Sequence, residues 1–188
     1  MENMFAQVVG YTGQDIGEWD VSNITNMNNT FKGNENLEFD TSTWDLSNVT
    51  SMVGMFEGAG GIVTGLEHWN TENVTDLSRT FSDSTIIVDV SNWKVDNVNK
   101  MEATFAGATS VVTELENWNV ENVTDMNHMF SGFGGTISGL AGWNTSNVTD
   151  MSHMFSNTHD FNENIVEWNV SKVTNMDSMF EGAKDFNQ

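Results

Sequence analysis

Two histidines, His128 and His153, stand 25 residues apart, a spacing that recurs throughout the chain. A pair of imidazoles can hold a metal weakly, but a zinc centre takes three or four ligands. The sequence has no cysteine to add, and His68 and His159 lie elsewhere in the pattern. The pair therefore reads as a surface coincidence, and no metal ligand is assigned. No Ser–His–Asp set or carboxylate pair stands out, so no catalytic residue is assigned and the chain reads as a non-enzyme. The glycine-rich stretches Gly58–Gly61 and Gly132–Gly135 lack the lysine of a phosphate loop. No segment concentrates carboxylates as calcium loops do. The expectation is that there is no cofactor.

The side chains best placed for recognition flank a recurring tryptophan. One residue after it come Asp20, Asp45, Asn70, Lys94, Asn119, Asn144 and Asn169. One residue before it come Glu18, Thr43, His68, Asn92, Asn117, Gly142 and Glu167. If the indoles point inward, these neighbours point outward. The preceding column varies in type, as a recognition surface can and a core cannot. The following column is either a self-satisfying Asn/Asp ladder or a second binding row. The expected binding set is Glu18, Asp20, Asp45, His68, Asn70, Asn92, Asn117, Asn119, Asn144, Glu167 and Asn169.

The elements that must position them repeat. Tryptophan stands at 19, 44, 69, 93, 118, 143 and 168, and a phenylalanine follows each by 12 residues, from Phe31 to Phe180. A fixed period in the twenties marks stacked units that bury their apolar faces only against neighbours. Residues 1–188 then form a single array of about seven repeats of 25 residues. Phe5, Met1 and Met4 already fall in repeat columns, so the array is expected to be a piece of a longer one. If it is whole, its open ends invite head-to-tail self-association.

Composition narrows the partners. The formal charge is −21, from 27 acidic and 6 basic residues, which argues against nucleic acid. No apolar run is long enough to span a bilayer, so no membrane insertion is expected. An acidic surface suits solubility, a salty or calcium-rich medium, or a basic partner.

Within one repeat, Leu115, Trp118 and Val120 are spaced L-x-x-W-x-V, and the alternation at Trp118 and Val120 predicts a short strand. Val123, Met126, Met129 and Phe130 then fall on one face of a two-turn helix. Thr124 stands where a hydroxyl would cap that helix. Gly132 sits in a column holding only Gly, Asn and Asp, the residues that tolerate a left-handed stop. The tryptophans are expected as an internal ladder and the methionines as core filler. The sequons at Asn23, Asn48, Asn73, Asn122 and Asn147 are a by-product of the repeat in a bacterium and glycan acceptors in a protist.

The combination L-x-x-W-x-V, N-V-T-D-M-x-x-M-F and a following glycine resembles the repeat of BspA-like leucine-rich-repeat surface proteins, the mycoplasma DUF285 type included. Asn97-Val98-Asn99, Lys172, Leu77 and one shortened repeat at Ser82–Trp93 depart from it. The resemblance implies an α/β repeat: a right-handed, leucine-rich-repeat-like solenoid, each coil a short parallel β-strand plus a short helix. It also implies an extracellular, cell-surface setting and adhesion to a protein or glycan of a host or neighbouring cell. A structural spacer or self-assembling fibre module is the alternative.

Overall fold

In the computed structural model, the backbone is described for residues 1–188 and the side chains for all but residues 111–113. Successive coils lie in parallel register along one chain of bridges, Asn26 to Ser51, Asp76, Lys100, Asp125, Asp150 and Asn175. The step from Asp76 to Lys100 is one residue shorter, which is how the stack absorbs the short repeat. A second edge of the coils carries short strands: β1 (Leu37–Asp40), β2 (Gly61–Thr64), β3 (Val88–Asp89), β4 (Val111–Glu114) and β5 (Ile137–Ser138). β1 pairs with β2, and β3, β4 and β5 form a second sheet, all parallel.

The expected α/β coil is not what forms. Among the described residues the only helical elements are single 3-10 turns at Leu66–His68 and Leu140–Gly142. Across the segment assigned to a helix, every second amide leaves the coil. Met126, His128, Phe130 and Gly132 donate to the carbonyls of Asp150, Ser152, Met154 and Ser156 at 2.7–3.0 Å. The amides between them close tight turns: Met129 on Met126 (3.2 Å), Ser131 on His128 (3.0 Å) and Phe133 on Phe130 (3.0 Å). An α-helix would instead send each amide to the carbonyl four residues back.

Two left-handed residues per coil make the difference. One is the Gly/Asn/Asp column expected from the sequence, Gly33 to Gly182, with φ between 56 and 72°. The other lies four residues earlier, at Asn29, Gly54, Arg79, Ala103, His128, His153 and Ser178, with φ between 51 and 59°. A left-handed residue in mid-segment breaks a right-handed helix. The apolar spacing that suggested one comes from consecutive turns that present every third or fourth side chain inward. A two-turn helix is marginal alone, whereas the stack supplies a ladder of intercoil hydrogen bonds and full burial.

The strand assignment shifts as well. Tryptophan and the residue two beyond it lie outside any strand; β1 and β4 end four residues before Trp44 and Trp118. The Trp118 amide closes a turn on Leu115 (3.0 Å), and the Val123 amide closes another on Val120 (2.9 Å). Nor does the threonine column cap helices. The Thr124 amide and hydroxyl both donate to the carbonyl of Asn99, its equivalent in the preceding coil, at 3.0 and 3.2 Å.

The core is an aromatic ladder whose continuous stack is phenylalanine. Among the described residues, the expected tryptophan ladder stacks ring on ring only between Trp44 and Trp69, Trp69 and Trp93, and Trp143 and Trp168. Phe31, Phe56, Phe81, Phe105, Phe130 and Phe155 are fully buried and stack at centroid separations of 5.5–5.9 Å. Six of the seven column tryptophans are buried, while Trp19 is 38% exposed and rests on Phe5. Each buried indole N–H has an acceptor one coil back: Trp44 on the Ile16 carbonyl, Trp93 on Leu66, Trp118 on Val90, Trp143 on Leu115 and Trp168 on Leu140, at 3.0–3.1 Å. Trp69 finds the Thr41 hydroxyl at 3.1 Å. A buried indole needs such a partner, which ties the tryptophan column to the column three residues before it.

Candidate binding surface

The two columns beside tryptophan separate in character once their hydrogen bonds are traced. In the following column, the side-chain oxygens of Asp20, Asp45, Asn70, Asn119, Asn144 and Asn169 each accept the amide two residues on, at 2.9–3.2 Å. These Asx turns bend the chain immediately after tryptophan, which is why no strand continues there. The Ser22 hydroxyl and amide hold the Asp20 carboxyl below its ordinary range, and Ser47 does the same for Asp45. This column is committed to structure through one oxygen per residue. Lys94 has no acceptor to offer and makes no such turn.

The preceding column carries little structural duty. Glu18, Asn92, Asn117 and Glu167 are exposed and, among the described residues, make no hydrogen bond to the chain. His68 is exposed with its Nε2 3.4 Å from Glu67. Thr43 donates to the Gly17 carbonyl at 2.7 Å. All eleven expected binding residues reach the surface, with Asn119 half-buried and the others exposed.

Four of the five sequon asparagines have a structural task. The Nδ2 groups of Asn48, Asn73, Asn122 and Asn147 donate to carbonyls of the preceding coil at 2.7–2.8 Å. Asn97, which is not in a sequon, makes the same bond to Glu72 at 2.7 Å. The asparagine is thus selected by the ladder, and the nitrogen a glycan would take is already engaged.

His128 and His153 do meet, with ring centroids 4.5 Å apart and planes 23° from parallel. Imidazole lone pairs lie in the ring planes, so rings stacked face to face do not aim them at one point. Burial, then the neighbouring His153, lowers the His128 pKa from its ordinary value, and its Nδ1 lies 3.0 Å from Asn127 Oδ1. No cluster of three metal-ligating residues occurs among the described residues. The glycine-rich Gly58–Gly61 loop is explained by close approach: a Cβ on Gly61 would overlap the Leu37 backbone. No helix among the described residues is long and apolar enough to cross a membrane.

A cleft of about 200 Å³ between Val8–Tyr11 and Gly33–Asn36 raised no expectation from sequence. Asn34 stands as the one asparagine in a column otherwise filled by Ala59, Ser84, Ala108, Phe133, Thr158 and Ala183, and that oddity was the available signal.

Stacked coils, a shared aromatic core and intercoil ladders define a repeat protein. Its family follows from comparison: the model described as "Mycoplasma protein of unknown function, DUF285" matches residues 1–112, 62–137 and 101–188, and the chain belongs to that family. No curated protein and no solved structure matches it.

Proposed function

We propose that this chain is a surface-exposed, non-enzymatic repeat domain that mediates adhesion, binding a protein or glycan of a host or neighbouring cell outside the cell that makes it. The observation that carries this reading is the column before tryptophan. Its side chains are exposed, vary from coil to coil, and in Glu18, Asn92, Asn117 and Glu167 are spent on no internal bond. A column kept only for stability would be expected to resemble the one after tryptophan, where nearly every residue closes a turn. Exposed polar groups on a rigid scaffold are where recognition concentrates.

The test is to change Glu18, His68, Asn117 and Glu167 together and measure binding to host cells or matrix beside circular dichroism. Surface changes of this kind shift stability by under about 0.5 kcal/mol each, so the fold survives. Lost binding with an unchanged spectrum supports the reading, and unaltered binding removes these columns from it. A basic partner would also bind less tightly as salt rises, because the chain is so acidic. If the unmodified chain binds no cell or matrix component, the spacer alternative takes its place.

A further inference from the structure

Among the described residues, two buried side-chain polar atoms have no hydrogen-bond partner: the Tyr11 hydroxyl and the Asn34 Oδ1. Both residues line the same cleft, the one between Val8–Tyr11 and Gly33–Asn36. Buried polar groups are seldom left unpaired, because each costs on the order of 1–3 kcal/mol. Finding both around one cleft points to a ligand there.

The two groups are held in place. Asn34 Nδ2 donates to the Phe5 carbonyl at 2.6 Å and the Phe31 carbonyl at 3.0 Å, which fixes the amide and leaves Oδ1 as the spare acceptor. The Tyr11 ring stacks on Phe5 with centroids 4.4 Å apart and planes within 9°. Burial, with Asp15 nearby, raises the Tyr11 pKa, so the phenol keeps its proton and can both donate and accept.

We infer that this cleft binds a small neutral polyol about one sugar ring in size, whose hydroxyls donate to Asn34 Oδ1 and accept from the Tyr11 hydroxyl. The volume supports that size. About 200 Å³ holds several waters of roughly 30 Å³ each, and falls below the ~300 Å³ where drug-sized pockets begin. The lining supports the chemistry. Glu35 and Asn36 add exposed acceptors at the rim and no cation lines the cleft, which disfavours a phosphate or carboxylate. An ammonium group would offer donors only and leave the tyrosine proton without an acceptor. Val8, Val9 and Tyr11 supply the apolar surface that the C–H face of a sugar packs against.

Both orphan atoms are screened from solvent, so the ligand reaches them as the Val8–Gly10 loop moves outward. Val9 is 100% exposed and nothing lies within 4 Å of the Cβ position of Gly10, so that movement is opposed chiefly by the turn bonds from the Tyr11 amide to the Val8 carbonyl (3.1 Å) and from the Val8 amide to the Phe5 carbonyl (3.4 Å). The site uses none of the columns beside tryptophan, and its fate is independent of theirs.

Amide chemical-shift titration with methyl α-D-glucopyranoside and with N-acetyl-D-glucosamine tests the assignment. Shifts confined to residues 8–11 and 33–36 are expected. Tyr11→Phe should weaken binding roughly tenfold, about the weight of one hydrogen bond. It should leave the melting temperature unchanged or higher, because it removes an unpaired hydroxyl. Glu35→Gln, at the exposed rim, should weaken binding without touching the fold, and serves if the tyrosine variant misfolds. The same sugars at the ends of immobilised glycans distinguish the source: retention points to a glycan terminus, and its absence beside free-sugar binding points to a free sugar. No shift with either sugar at millimolar concentration, or shifts that both variants leave unaltered, overturns the assignment.

Discussion

The left-handed residue in mid-coil separates the observed fold from a helical one by the sign of an energy. Arg79 has φ 58°, is exposed, and passes its amide to the Glu102 carbonyl at 2.8 Å. Its guanidinium also meets Glu102 Oε1 at 3.1 Å, a surface pair worth at most about 1 kcal/mol. Comparing Arg79→Ala with Arg79→Gly cancels that pair, because both lose it. An alanine held left-handed is strained by about 1–2 kcal/mol relative to its preferred conformation. Glycine escapes that strain but makes the unfolded chain more disordered, a loss of about 0.4–1 kcal/mol. The glycine variant should therefore be the more stable by about 0.5–1 kcal/mol. In a helix the order inverts, with glycine about 1 kcal/mol worse than alanine. Urea denaturation followed by circular dichroism and tryptophan fluorescence resolves a gap of that size. A glycine variant less stable than the alanine variant by about 1 kcal/mol would refute the turn-and-ladder coil.

Trp118→Ala removes an indole that is 3% exposed and leaves the Val90 carbonyl without its donor, so urea melts should show a loss of about 3–5 kcal/mol; a loss under about 1 kcal/mol would mean the indole is not core. Acid should act in two stages. The lowered His128 pKa means the folded state favours the neutral ring, so that stability is intact above the ordinary value of 6.5 and is lost as pH falls through it. Melting temperature should accordingly decline as pH falls below 6.5, less steeply in His128→Gln, and an unchanged slope in that variant would clear the histidine of any role. Asp20, Asp40 and Asp45, whose pKa values are lowered by hydrogen bonds from Ser22, Ser42 and Ser47, should contribute a further loss only as pH falls below the ordinary 3.8 toward their folded pKa values.

The candidate site was legible in part. The spacing placed His68, Asn117 and Glu167 at the surface because each precedes a buried tryptophan that turns its neighbours outward, whereas Glu18 is exposed beside Trp19, which is itself 38% exposed. The Asn/Asp column after tryptophan could not be assigned by type alone, since a side chain that closes an Asx turn and one that meets a partner are the same residues. Its hydrogen bonds show how it serves the turn. The cleft at Tyr11 and Asn34 was invisible because its residues come from one coil and the next, and neither belongs to a column that repeats its chemistry.

The period, the parallel stacking and the aromatic core follow from the sequence itself. Repetition of Trp and Phe at a constant step leaves one economical way to bury them, each on its equivalent in the next coil. The left-handed backbone at Gly33 through Gly182 was legible too, because only Gly, Asn and Asp sit easily at positive φ, although there is no helix for it to end. What tertiary structure decided was where the amides go. Val123, Met126, Met129 and Phe130 satisfy a helical spacing, but so does a chain of tight turns, and sequence periodicity reports which side chains face inward without reporting the acceptor of each N–H. That acceptor lies about 25 residues away in sequence and a hydrogen bond away in space. Arg79, Ala103 and His128 give no local hint of a left-handed backbone, and they adopt it where the neighbouring coil supplies a carbonyl, of Glu102, Asn127 and Ser152, to each amide.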